Sequence, residues 1–352
     1  VGWGSGAGFL GWVPGLGSGA RFLARGCEER RLANAIEIHG VTKTFGPKIA
    51  VKDLDLVIPE HALYAFIGPN GAGKTTTIRM IMSILFPDKG EISVLGKASA
   101  VESKDRIGYL PEERGLYRKM KVGGFLNYMG KLKGMDGGPL DRTVKDWLAK
   151  IGLAETYRKK CEELSKGMQQ KVQFIAAVIH KPDLIILDEP FSGLDPVNRK
   201  LLRDLIDEER RRGCTLIFST HAMFEAEQLC DRLFMIHKGV KVLDDRLDDV
   251  WARYDPRTVE VEPVAPLAQT DLGLFRDIPG VRKVEMGARG VDLHMAENAS
   301  ASEVMSLAAT KVPARRIEVK RPSLEDIFIQ LVDGESENLR DELKSGTRGA
   351  ER

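Results

Sequence analysis

The stretch Gly68-Pro69-Asn70-Gly71-Ala72-Gly73-Lys74-Thr75 constrains this chain more than any other. It fits the pattern G-x-x-x-x-G-K-[ST], in which glycines let the backbone curl until several N–H groups converge on one point. Its neighbours fit as well. Leu63-Tyr64-Ala65-Phe66-Ile67 has the length of a buried strand, and Thr76 to Leu85 carries Ile78, Ile81, Met82 and Leu85 at helical spacing. Strand, glycine turn and helix in that order are the context expected of a phosphate-binding loop, with the positive end of the helix dipole turned toward the anion, rather than of a Gly-rich turn that happens to contain Lys-Thr. Lys74 would reach the β- and γ-phosphates of a nucleotide, and the Thr75 hydroxyl would hold Mg²⁺.

Bulk composition narrows the setting. A chain of 352 residues is long enough for a large core and a small second one. Its 43% hydrophobic and 30% charged content is that of a soluble globular protein, and a formal net charge of +2 gives no electrostatic case for nucleic acid or an anionic membrane. Cys27, Cys161, Cys214 and Cys230 show neither paired nor metal-ligand spacing, which points to reduced thiols. No apolar run approaches the roughly 18–20 residues that span a bilayer. If the chain serves a membrane process, another chain must supply the spans.

Residues 1–34 are glycine-rich, broken by Pro14 and lacking an early basic segment, so they read as a disordered extension rather than a signal peptide. Order is expected from Ile36, with strands at Ile36–Val41 and Val51–Ile58; Phe45 closes the first. Gly90–Gly96 and Ile107–Pro111 read as further strands. A mostly helical region follows over 122–181, with loops at Gly134–Pro139 and around Leu164–Gly167.

A second chemical constellation is Leu184-Ile185-Ile186-Leu187-Asp188-Glu189. Four apolar residues suit a strand buried on both faces of a parallel sheet, and the two carboxylates lie at its C-terminal end, where open α/β sheets place ligands. Pleat alternation turns Asp188 and Glu189 in different directions. Asp188 suits the Mg²⁺ shell, and Glu189 suits polarising a water aimed at a γ-phosphate. Leu216–Thr220 reads as another buried strand, ending at His221 on the same sheet edge.

This order of motifs resembles the ATP-binding subunits of ABC transporters over about Ile36 to Ala252. The resemblance makes Gly68–Thr75, with Thr76, the Walker A loop, Leu184–Asp188 the Walker B strand and Glu189 the catalytic glutamate. Ser192-Gly193-Leu194-Asp195 matches the D-loop, His221 the switch histidine, and Ser165-Lys166-Gly167-Met168 the signature that meets the partner's ATP. Phe45 matches the aromatic that stacks on adenine, and Val51 the residue beside it. The implied fold is α/β, a P-loop ABC ATPase domain with a mainly parallel core sheet, an antiparallel β subdomain and a helical subdomain. The implied mechanism is a head-to-tail pair, a homodimer or paired ATPase subunits, closing on ATP and Mg²⁺, with Thr75, Glu112 and Asp188 at the metal.

Two departures stand out. Glu112 occupies the place of the family's usual glutamine, and in the signature Lys166 and Met168 replace glycine and glutamine. Both are similar to variants in ATPases serving ABC-2 type exporters, including sodium-extrusion systems. That resemblance implies a separate integral-membrane ABC-2 type permease, docking near Glu112–Tyr128, and a peripheral position on the cytoplasmic face of the membrane.

Past an ATP-binding domain over 35–254, residues 255–333 read as β-α-β-β-α-β, a ferredoxin-like α+β accessory domain. Its elements are a strand at Thr258–Val264, a helix within Pro266–Asp277, a hairpin around Gly287–Arg289, a helix at Ser302–Thr310 and a strand at Arg316–Lys320. Ser323-Leu324-Glu325-Asp326 opens a final helix as a capping box, and Pro322–Phe328 is similar to a run that ends the same subgroup. No catalytic cluster appears there, so docking or regulation is expected. Residues 334–352 are charged and read as disordered.

The alternatives are a soluble ATPase acting on ribosomes or nucleic acid, and a slow ATP-binding regulatory module. The loop and signature lie too close to enclose a long coiled coil, the chain carries one cassette, and its charge is near neutral, so nucleic acid is not an expected partner. Lys74, Asp188, Glu189 and His221 are all in place, which disfavours the slow module.

Overall fold

In the computed structural model, residues 33–113, 115–287 and 289–332 are described. The expectations for 1–34 and 334–352 lie outside these residues, except that Asn34 already opens the first strand. β1 (Asn34–Phe45) and β2 (Lys48–Pro59) form an antiparallel hairpin longer than the alternating residues alone suggested. β3 (Leu63–Ile67) then runs into the phosphate-loop motif and α1 (Lys74–Ile81). This helix stops short of the expected Leu85. Ser83 takes φ 55°, and the N–H groups of Ile84 and Leu85 both turn back to the Arg79 carbonyl, a left-handed exit that ends the helical ladder.

β4 (Lys89–Val94) joins the hairpin in a three-stranded sheet of order β2-β1-β4. β5 (Ile107–Leu110) enters the main sheet, followed by the helices α2 (Val122–Leu132), α3 (Gly137–Lys150) and α4 (Lys166–Val178). α3 begins inside the segment expected as a loop, because Pro139 falls in its first turn, where a missing N–H costs nothing. α4 likewise starts two residues early. Ser165 is its N-cap and accepts a hydrogen bond from the Met168 N–H at 3.3 Å, so Lys166 and Gly167 belong to the helix.

The main sheet is completed by β6 (Leu184–Asp188), β7 (Thr215–Thr220), β8 (Arg232–His237) and β9 (Val240–Arg246), separated by α5 (Pro196–Arg211) and α6 (Met223–Leu229). Its order is β5-β6-β7-β3-β8-β9, parallel except for β9. Both faces are covered. In β6, Leu184 and Ile186 pack with α1 and the three-stranded sheet, while Ile185 and Leu187 pack against the helical side. Alternate residues thus feed different cores, as a continuous apolar strand requires.

After α7 (Leu247–Arg253) comes a second sheet: β10 (Thr258–Pro263), α8 (Gly273–Arg276), β11 (Val281–Met286), β12 (Val291–Met295), α9 (Ala301–Lys311) and β13 (Ala314–Lys320). The antiparallel order β11-β12-β10-β13 is the ferredoxin-like arrangement, with its own core around Val259, Phe275, Leu293 and Val304. The helix expected within Pro266–Asp277 is reduced to a 3-10 turn over Gln269–Leu272 and the four residues of α8.

The final helix, 324–332, leaves that sheet and returns to the ATPase body. Leu324 and Ile327 are fully buried in the main core, and Phe328 meets the His237 ring edge-on at 5.7 Å. Its cap forms on one side only. Ser323 accepts from the Asp326 N–H at 3.1 Å, but the Asp326 carboxylate takes the Ser323 hydroxyl rather than its N–H.

Candidate active site

Three strand ends build the site. Between β3 and α1 the chain passes over β2 so closely that a Cβ at Gly73 would lie 2.7 Å from the Ala50 carbonyl oxygen, and Gly73 has φ 120°. Only glycine meets both demands. The curl opens a cleft of about 390 Å³ lined by Phe45, Lys48, Ala50, Asn70, Gly71, Ala72, Gly73, Lys74, Thr75, Thr76, Glu112 and Glu189, a volume within the range of small-ligand sites. A larger cleft, about 500 Å³, lies between β1, β4 and the end of α1 and holds none of the motif residues.

Lys74 is 6% exposed, its Nζ donating to the carbonyls of Gly68 at 2.7 Å and Pro69 at 3.3 Å. The Glu189 Oε1 lies 3.5 Å away, neutralising the buried ammonium. On its other side, Glu189 Oε2 lies 3.0 Å from His221 Nδ1. Lysine, carboxylate and imidazole therefore form one chain across the mouth of the loop.

Glu189 holds this position because it has left the strand. Its φ is 49°, the left-handed region that non-glycine residues seldom adopt. Pleat alternation alone therefore does not set its direction, as the sequence reading assumed. Such backbone strain clusters at functional sites and persists only when neighbours enforce it. Here the Glu189 N–H donates to Ser219 Oγ on β7 at 2.9 Å.

The same Ser219 hydroxyl donates to Asp188 Oδ1 at 2.5 Å, and Thr75 Oγ1 reaches that oxygen at 3.3 Å. Asp188 Oδ2 is buried without a hydrogen-bond partner. Burial pushes the Asp188 carboxyl up from its ordinary range, the Ser219 and Thr75 hydroxyls pull it back, and the Glu189 charge pushes it up again. A carboxylate oxygen left open beside a threonine hydroxyl is the donor set a hard divalent cation takes. Burial, then the Asp188 charge, also pushes the Tyr109 phenol on β5 up to about 12.

Not every expected residue gathers here. Val51 is fully buried beneath the loop, and its neighbours Lys48 and Ala50 line the cleft instead. Ser165, Lys166, Gly167 and Met168 lie outside the cleft lining, in the cap and first turn of α4. They adjoin the Ser192–Asp195 turn, since a Cβ on Gly167 would sit 3.2 Å from Asn198 Nδ2 and 3.8 Å from Leu194. Ser192 donates its N–H to the Glu189 carbonyl at 3.1 Å, and Asp195 caps α5 through the Asn198 N–H at 2.9 Å. Gln170 donates to the Pro190 carbonyl at 3.1 Å, tying α4 to the same strand exit.

Ser219 is the functional residue that sequence reasoning missed. A serine in a buried apolar strand, one residue before Thr220-His221, was the available signal.

Residues 51–192 match the family model described as ABC transporter, and 246–332 match that of the C-terminal domain of ATP-binding proteins like DrrA1-3. The chain is 42% identical to the uncharacterised ABC transporter ATP-binding protein YhaQ of Bacillus subtilis, over 84% of this chain and 98% of that protein. The chain belongs to the ABC transporter ATP-binding proteins. It is also 30% identical to the Nod factor export ATP-binding protein I of Bradyrhizobium diazoefficiens, over 86% of this chain and 98% of the relative. A solved structure of the ATP-binding subunit of an ABC transporter aligns with a TM-score of 0.58 at 28% identity, covering 62% of this chain and 93% of the other. This ABC protein is an ATPase that binds nucleotide, and among its described residues no helix is long and apolar enough to cross a membrane.

Proposed function

We propose that the chain is the ATP-hydrolysing subunit of an exporter, working from the cytoplasmic face on a separate ABC-2 type permease. The observation that carries the chemistry is the Lys74–Glu189–His221 chain across the phosphate loop, with Asp188 Oδ2 open behind it. Kinship to a Nod factor export protein along nearly that relative's whole length supports the direction of transport.

In this reading Phe45 stacks on adenine, and Gly68–Thr76 wraps the phosphates with Lys74 on the outermost. Thr75, Asp188 and Glu112 would hold Mg²⁺, which would supply charge neutralisation on the phosphates when bound. Lys74 exchanges the Gly68 and Pro69 carbonyls for phosphate oxygens, freeing Glu189 to orient water, and His221 keeps Glu189 in place. The Ser165–Met168 turn and the Ser192–Asp195 turn lie side by side but apart from the cleft lining, which suits presentation to the nucleotide of a second subunit. The α4 N-terminus then directs the positive end of its dipole at the partner's γ-phosphate. Loss of that shared ligand on hydrolysis opens the pair.

The permease meets the segment from Glu112 to Tyr128, where Tyr117 and Tyr128 are 53% and 41% exposed and stack edge-on at 5.8 Å. Copurification from native membranes tests this. Recovery with an integral-membrane protein of the ABC-2 type is expected; recovery with ribosomes instead would overturn the export reading.

A further inference from the structure

Phe45 lies at an awkward place in the fold. It is 48% exposed and sits last in β1, just before the Gly46-Pro47 turn. The segment leading to it is irregular, with register shifts against β2 from Ile38 to Thr44. On the other side, pairing with β4 ends at Thr42 opposite Lys89. The last residues of β1 therefore pair with β2 alone and have no strand on the other edge, and a ring at the end of a bulged strand paired on one side has little to hold it.

One side chain takes the place of the missing strand. The Asp88 carboxylate accepts from the Thr44 N–H at 2.7 Å, the Thr44 hydroxyl at 2.7 Å and Lys43 Nζ at 2.8 Å. Asp88 also donates its own N–H to the Thr42 carbonyl at 2.8 Å, continuing the ladder by one rung. The Lys43 ammonium held by Asp88 lies 5.7 Å from the centroid of the Phe45 ring, within cation–π reach. The approach of the two backbones depends on Gly90, where a Cβ would stand 2.4 Å from the His39 carbonyl oxygen and 2.5 Å from that of Gly40. The three donors keep the Asp88 carboxyl down at about 2, so it is charged throughout the physiological range.

We propose that Asp88 is a positioning residue for base recognition: by fixing Thr44 and Lys43 it sets the face that Phe45 presents to the nucleotide base. The inference rests on Phe45 as the base-stacking residue. Asp88 itself lies outside the cleft lining, and its hydrogen bonds go to Lys43, Thr44 and Thr42 rather than to the phosphate loop, so its effect belongs to the base and not to the triphosphate. Asp88→Asn keeps the shape but loses the charge that anchors Lys43 and turns one acceptor into a donor.

The test compares two ligands on the full chain by titration calorimetry: Mg·ATP, and inorganic tripolyphosphate with Mg²⁺, which has phosphates but no base. Asp88→Asn is expected to weaken ATP about three- to fivefold, the scale of one exposed cation–π and charge-assisted contact, while tripolyphosphate affinity stays at the wild-type value. Lys43→Gln is expected to move ATP in the same direction with the same indifference to tripolyphosphate. Unchanged ATP affinity in Asp88→Asn, or equal weakening of both ligands, would overturn the proposal. Phe45→Ala separates the two layers. If it too fails to distinguish the ligands, base stacking by Phe45 is wrong; if it distinguishes them and Asp88→Asn does not, only the positioning role fails.

Discussion

Ser219→Ala removes one oxygen that two neighbours depend on. The hydroxyl accepts the Glu189 N–H at 2.9 Å and donates to Asp188 Oδ1 at 2.5 Å, and Ser219 itself is fully buried. Without it, the Glu189 N–H is left buried and unpaired, at about 1–3 kcal/mol. The Asp188 carboxylate, already pushed up by burial, loses the first of the hydrogen bonds that pull it back, worth about 1.5–3 kcal/mol for a charged acceptor. The two losses share one atom and are not additive, so a total of about 2–4 kcal/mol is expected. Because Asp188 Oδ2 is the open oxygen, loosening this carboxylate should also weaken Mg²⁺, by about 10–100-fold as for other supports of metal ligands. Denaturant melts and an Mg²⁺ titration of ATP turnover measure both. A variant as stable as wild type to within about 0.5 kcal/mol, with the same Mg²⁺ requirement, would mean that Ser219 supports neither carboxylate.

Two further outcomes follow from groups away from the cleft. Burial, then the Lys133 charge, holds the His180 imidazole down at about 4 from its ordinary 6.5, with Nε2 at 3.2 Å from the Ile107 carbonyl. A folded-state value below the unfolded one means the folded chain binds fewer protons, so its contribution is complete above about pH 6.5 and is lost as pH falls toward 4. Discounted for the screening of a partly exposed ring, the loss is of order 1 kcal/mol, and His180→Gln should flatten that part of a stability–pH profile. Ile327→Ala, in a fully buried contact with the main core, should cost about 2–5 kcal/mol of docking. Hydrogen exchange over 324–332 should then accelerate at least about 30-fold; unchanged exchange would mean the helix is held by something else.

Legibility from sequence followed how local the determinants were. β3 and β6 were readable to the residue because an uninterrupted apolar run between turn signals has one outcome in a covered sheet. Lys74, Thr75 and Glu189 gather in the cleft because their spacing within strand–turn–helix units carries them there. What escaped depended on contacts across the fold. The left-handed turn at Glu189 is enforced by Ser219, a residue of a different strand. The choice of Lys48 and Ala50 over Val51 as cleft lining reflects which face of β2 meets Gly73. The return of 324–332 to the ATPase core could not be seen from its capping signal, which shows where a helix starts but not where it docks. Helix ends at Ile81 and Gly137 shifted for local reasons that single-residue turn and proline geometry decide.

In the proposed function the site is completed by a second subunit and emptied through Glu189. Sedimentation of Glu189→Gln with and without Mg·ATP, alongside its turnover, tests that claim most directly. The predicted result is a stable dimer formed only with ATP and hydrolysis reduced by at least about 100-fold. A variant that stays monomeric with ATP and hydrolyses at the wild-type rate would contradict it.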